Sequence, residues 1–179
     1  MKFDVVVSKF DEDLDKSTFT SPAAYAAATA MHKAEDVANA LGKAGEGFDL
    51  IVGSDTVVEA PDGSILEKPA DEQEAMKMLM SLQGVTHQVS TGVGIVTPDP
   101  SMPDGRLLTS FSETTRVTFA PLTETEMTAY VKTGEPFDKA GGYGTSRRIG
   151  TASHRVLLPW VCIGVVYYTS CVAFETCAC

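Results

Sequence analysis

The stretch Leu50-Ile51-Val52-Gly53-Ser54-Asp55-Thr56-Val57-Val58 constrains this chain most. A run rich in apolar, β-branched residues reads as a buried strand, yet its middle holds a small residue, two hydroxyls and a carboxylate. A charge inside a strand that belongs to the core is costly unless it is paired or binds a metal. Other charges also stand beside apolar or glycine-rich sequence: Glu12, Lys33, Glu67-Lys68 and Asp138-Lys139. The expectation is that these groups converge on one anionic, metal-bound substrate.

The flanking sequence supplies the frame. Phe3 to Ser8 reads as a strand, followed by an acidic loop, Lys9 to Thr20, that carries Asp11, Glu12, Asp13 and Asp15. Ser21-Pro22 is an N-cap followed by proline at the first helical position, and opens an alanine-rich helix predicted to run to Leu41 and stop at Gly42. On that helix Ala26, Ala30, Lys33, Ala34, Val37 and Leu41 share a face, which turns Lys33 inward. Either its stem snorkels over the core edge or its ammonium points into a cleft.

Ala60-Pro61-Asp62-Gly63 is a hairpin turn after the central strand, with Ser64 to Glu67 pairing back. Asp71 to Leu82 is an amphipathic helix with Ala75, Met78, Leu79 and Leu82 on one face; its methionines are read as core. His87 to Thr97 and Leu107 to Phe119 form a long antiparallel hairpin, and Thr123 caps a helix from Glu124 to Thr133 with a capping-box pattern. The glycine-rich run from Gly134 to Gly144, with Asp138-Lys139 inside it, implies close backbone approach to another segment or a ligand.

A length of 179 residues suits one domain with a substantial core. The formal charge of −10 excludes a broad nucleic-acid surface, although a few lysines in a metal-loaded cleft still suit a small polyphosphate. No secretory signal is recognised at Met1-Lys2-Phe3-Asp4, and all four cysteines fall at Cys162 or later, so the body reads as cytoplasmic and free of disulfides. From Thr145 the character changes. Arg147, Arg148, His154 and Arg155 precede an uncharged stretch, Val156 to Phe174, that is long enough for a tail anchor but carries Pro159, Gly164 and several polar residues.

In this order the motifs resemble the Maf-like nucleoside triphosphate pyrophosphatases, in particular eukaryotic members such as the Maf domain of acetylserotonin O-methyltransferase-like proteins. The matching stretches are Ser8-Lys9-Phe10 with its acidic loop, His32-Lys33-Ala34, Gly53 to Val58, Leu66-Glu67-Lys68-Pro69, and Gly134-Glu135-Pro136 through Gly144. The resemblance implies an α/β fold: a twisted mixed β-sheet in a two-lobed cleft like that of the inosine triphosphatases. It assigns residues 1–144 to the Maf-like domain and 145–179 to a divergent hydrophobic, cysteine-containing tail, disordered or misassigned. Family members carry a phosphate-gripping serine–arginine loop before the acidic loop and a base-recognising glutamine after the Gly-Tyr-Gly. Neither pattern is found here, so the fold is expected to be incomplete at both ends, as in a truncated or alternatively spliced product.

The implied reaction converts a nucleoside triphosphate, dTTP-like, UTP-like or modified, into the monophosphate and pyrophosphate with Mg²⁺ or Mn²⁺. By likeness, Asp55 is the general base or holds the attacking water, and Glu12 is the second metal-side carboxylate. Lys33 and Lys68 bind phosphate oxygens, with Lys68 counted among the catalytic residues, and Thr56 influences substrate choice. Lys139 is a further substrate-binding candidate, with a structural Asp138–Lys139 pair as the alternative. For Asp55 the alternative is an Asx-type turn or a satisfied strand-end carboxylate, and for Glu12 a solvated loop acid, with Asp11 or Asp13 in its role. The expected partners are the nucleotide and a second copy of the chain, without nucleic acid or membrane. The rival readings are a catalytically inactive Maf-like module that binds or dimerises, and a tail-anchored membrane protein.

Overall fold

The computed structural model describes residues 3–144. It is α/β, with three helices and a four-stranded antiparallel sheet. Three helices, α1 (Pro22–Ala44), α2 (Glu72–Leu82) and α3 (Glu124–Val131), accompany the strands β1 (Ile51–Glu59), β2 (Ile65–Leu66), β3 (Thr86–Pro98) and β4 (Arg106–Thr118), in the sheet order β2-β1-β3-β4. The chain divides into two compact units, the first drawing on residues up to Thr56 and on Thr91–Glu113, the second on Val57–Ser90 and on residues from Thr114.

In the first unit α1 begins as the sequence prescribes. The Ser21 hydroxyl accepts the Ala24 N–H at 3.1 Å, and Pro22 takes a first-turn position where no N–H is needed. Ala26, Ala30, Ala34 and Ala38, four residues apart, are all fully buried. Strand glycines meet this stripe. A Cβ on Gly92 would lie 2.2 Å from the Ala26 carbonyl, and one on Gly53 would lie 2.3 Å from the Ala30 oxygen. Helix and strand backbones therefore touch with only methyl groups between them. Val37, Ile51 and Val96 extend the core, with Val6, Met31, Leu41 and Phe48 packed at its margin.

Two expectations are corrected here. Phe3 to Ser8 forms no strand. Phe3, Val5 and Val7 are exposed and only Val6 reaches the core, so the alternation of the sequence is present without a ladder to stabilise it. Helix α1 also runs through Gly42 and stops at Gly45, the residue with left-handed backbone (φ 72°), whose N–H reaches the Gly42 carbonyl. Gly42 stays helical beside Arg106, whose guanidinium donates to Asn39 Oδ1 at 2.7 Å and to the Ala38 carbonyl at 3.3 Å.

In the second unit β1 and β2 pair antiparallel with Val58 opposite Leu66 and Glu59 opposite Ile65, across the predicted turn. Asp71 caps α2 by accepting the Glu74 N–H at 2.8 Å, and Ala75, Met78, Leu79 and Leu82 are its buried face. Thr123 and Glu126 complete a capping box on α3. These elements enclose a core centred on Leu79, Leu82, Phe119, Tyr130 and Tyr143.

Among the described residues no helix is long and apolar enough to cross a membrane. The tail from Thr145, with Val156 to Phe174, lies outside the described residues. Close packing of α1 makes a direct prediction. Gly92→Ala should destabilise the protein by about 3 kcal/mol through overpacking against backbone atoms that cannot yield. Gly47→Ala, with nothing within 4 Å, should shift stability by no more than about 0.5 kcal/mol. Urea unfolding of both variants measures the difference.

Candidate active site

The buried face of α1 carries Lys33 inward until only 2% of its surface remains exposed. Its ammonium donates to Asp55 Oδ1 at 2.8 Å and lies 2.9 Å from Glu12 Oε2. The Lys33 ammonium is thus buried and paired with two carboxylates. Asp55 stands in the interior of β1 with its side chain 10% exposed, neither a turn residue nor a strand end. Glu12 comes from the acidic loop and is 40% exposed, so its carboxylate closes the cluster from the solvent side. Burial works to lower the Lys33 pKa, but the charge and hydrogen bond of Asp55, then those of Glu12, outweigh it and hold the ammonium above its ordinary 10.5. Next along β1, the Thr56 hydroxyl shares a 3.0 Å hydrogen bond with the Thr91 hydroxyl of β3.

Asp36, which the sequence reading did not single out, and His32 set the acidic loop. Asp36 Oδ2 accepts the Lys9 N–H at 2.7 Å and the Ser8 hydroxyl at 3.0 Å. One turn earlier on α1, the His32 ring stacks on Phe10 with centroids 5.1 Å apart. His32, Lys33 and Asp36 thus fasten one loop to one helix, at helical spacing that was visible in the sequence. What the sequence did not reveal was that Ser8 and Phe10 are their partners, because the loop folds back over some two dozen positions.

In the second unit Lys68 is exposed between β2 and α2. Lys139 is 11% exposed, and its ammonium donates to Asp138 Oδ1 at 2.6 Å and to the Glu135 carbonyl at 3.2 Å. The Asp138–Lys139 pair is therefore real. The glycine segment behind it is fixed at several points: Gly141 N–H donates to the Glu67 carbonyl at 3.0 Å, and Gly144 N–H to the Tyr130 hydroxyl at 3.1 Å. The Tyr143 hydroxyl meets His87 Nε2 at 2.7 Å. Gly141 and Gly142 both have left-handed backbone, and a Cβ on Gly141 would press within 3.0 Å of three Val58 atoms.

The fit of a divalent cation is set by Glu12 and Asp55. Both carboxylates reach one ammonium, so they are near enough to share a cation. No group of three or more His, Cys, Asp or Glu side chains arranged for a metal occurs among the described residues. Two carboxylates suit Mg²⁺ or Mn²⁺, which complete their shell with water and substrate phosphate, better than a metal that needs an all-protein cage.

Comparison with known proteins gives the family. The profile of the family described as Maf-like protein matches residues 1–155. This chain belongs to the Maf-like family. It is 47% identical over 148 residues to the human probable bifunctional dTTP/UTP pyrophosphatase/methyltransferase protein, covering 80% of this chain and 23% of that protein. It is 40% identical over 142 residues to a dTTP/UTP pyrophosphatase of Bacillus cytotoxicus, covering 79% of this chain and 66% of the relative. A dTTP/UTP pyrophosphatase of Koribacter versatilis shares 46% identity over 96 residues, 54% of this chain and 46% of that protein. The Maf-like chain thus spans about a quarter of the human relative and somewhat under two thirds of the Bacillus relative.

Two predictions follow from the charges of this Maf-like chain. Lys33→Met leaves two neighbouring carboxylates without their cation and should cost about 3 kcal/mol near neutral pH. The loss should shrink in acid as the carboxylates protonate, which urea unfolding across pH would reveal. His87 is buried, and burial holds its pKa below the ordinary 6.5, with the Val85 backbone acting in the opposite sense. The unfolded chain then takes up a proton that the folded chain refuses. The stability contributed by neutral His87 is complete above 6.5 and falls as pH drops towards the folded-state value. His87→Gln should flatten that part of the stability–pH curve relative to wild type.

Proposed function

We propose that this chain hydrolyses a nucleoside triphosphate, dTTP or UTP by likeness to its relatives, to the nucleoside monophosphate and pyrophosphate. The observation that carries this reading is the cluster Glu12–Lys33–Asp55, two carboxylates and a buried ammonium brought together from a loop, a helix and a strand. Water attacks the α-phosphorus, the bond from that phosphorus to the oxygen bridging to the β-phosphate breaks, and pyrophosphate leaves with the bond electrons. Asp55 accepts or directs the proton of the attacking water, which requires a carboxylate that stays ionised; the adjacent ammonium favours that state. Lys33 also offers compact positive charge to phosphate oxygens, a role we extend to Lys68 and Lys139. A divalent Mg²⁺ or Mn²⁺ held by Glu12 and Asp55 would neutralise phosphate charge and polarise the reacting phosphoryl group. Thr56, one residue from the base, is the proposed influence on substrate choice.

In this reading residues 1–144 are the catalytic domain, the protein acts in the cytoplasm, and it pairs with a second copy of itself. A panel of nucleoside triphosphates assayed for pyrophosphate release with Mg²⁺ or Mn²⁺ tests the activity. The wild type should prefer dTTP or UTP, and Asp55→Asn should lower kcat by at least about 100-fold, the range of a general base. Equal inactivity of both proteins on every nucleotide would replace this reading with a binding or dimerising module.

A further inference from the structure

His87 is a buried titratable group that the proposed reaction does not use, and Tyr143 is the residue it holds. The hydroxyl of Tyr143 meets His87 Nε2 at 2.7 Å, and both side chains are nearly without solvent, at 4% and 2% exposure. Phe119 packs edge-on against both rings, at 5.1 Å from His87 and 4.7 Å from Tyr143. The phenol is thereby confined to one place, and its backbone with it. Two residues earlier, Gly141 donates its N–H to the Glu67 carbonyl, beside Lys68; four residues earlier is Lys139. One residue later, Gly144 N–H meets the Tyr130 hydroxyl. The segment from Lys139 through Gly144 contains three glycines and has little conformational preference of its own. Its course must be imposed by anchors, and the buried anchor with a side chain is Tyr143.

We infer that His87 and Tyr143 form a latch that positions the glycine segment, so that Lys139 is presented to the phosphates of the substrate beside the Glu67–Lys68 backbone. His87 is in this sense a positioning residue: it touches no substrate and acts through Tyr143. The inference rests on the assignment of Lys139 to phosphate binding made above. Against the His87 ring stand the Tyr143 phenol, the Phe119 ring and the Val85 backbone, so the phenol is the titratable partner that fixes its orientation.

Tyr143→Phe tests the latch gently, because it keeps the ring contacts with Phe119 and removes only the hydroxyl. Hydrogen exchange read on the segment 135–144 of the full chain should become at least about tenfold faster in Tyr143→Phe, as expected for loss of one buried hydrogen bond. Unchanged exchange would overturn the latch. Affinity for inorganic triphosphate, measured by calorimetry, should fall about three- to tenfold in Tyr143→Phe and about as much in Lys139→Met, with little further loss in the double variant. Losses that multiply in the double variant would overturn the link to Lys139, as would a wild type that binds no triphosphate. In pyrophosphate release the same variant should raise KM and leave kcat nearly unchanged. His87→Gln, which retains an acceptor for the phenol, should recover most of what His87→Leu loses; equal losses would count against the hydrogen bond. A wild type that binds triphosphate but releases no pyrophosphate from any nucleotide sinks the catalytic reading and leaves the latch to be judged by exchange and affinity.

Discussion

The Lys33 ammonium is almost stripped of water, and a charge so placed is tolerated only when opposite charges replace its hydration shell. Asp55 and Glu12 do so at 2.8 and 2.9 Å. Much of the first unit follows from that requirement. Helix α1 must lie close enough to β1 for the lysine to reach Asp55, and the alanine stripe with the glycines at 53 and 92 allows that approach. The acidic loop must fold back over α1 to deliver Glu12, and Asp36 and His32 hold it there. The same three charges that would organise a triphosphate are the ones that justify the packing around them.

The second unit solves a different problem. Its glycine segment needs left-handed backbone and close contact with Val58, which only residues without a Cβ permit. Such a segment specifies little by itself, so its position is enforced by buried hydroxyls: Tyr143 on His87, and Tyr130 on the Gly144 amide. Rigidity is supplied by aromatic packing at the ends of a flexible stretch. Lys139 lies on that stretch between two short 3-10 turns, Glu135–Asp138 and Ala140–Gly142.

Legibility in the sequence followed the range of the interactions. Caps at Ser21 and Thr123, the turn at Gly63 and the inward face of α1 are written within a few residues, and each appeared where the local pattern placed it. Phe3 to Ser8 failed as a strand because β-character becomes structure only when another strand is there to pair with it. Gly42 failed as a helix stop because the left-handed residue that ends α1 is Gly45, three positions on. Asp36 and His87 escaped notice because each is an ordinary polar residue until its distant partner is known.

By itself, then, the sequence determined the α/β class, the helix caps, the presence of an ionisable residue in a buried strand and the set of charges that required explanation. Family membership rests on the order of those motifs and on the match over residues 1–155. The tertiary structure alone decided that Lys33 is shared by two carboxylates, that Glu12 and not Asp11 or Asp13 is its loop partner, and that His87 grips Tyr143. The physical reason is one of range. Propensity, capping and periodicity act over a single turn or strand, whereas compensating a buried charge or fixing a glycine segment takes groups from distant parts of the chain, and their meeting exists only after folding.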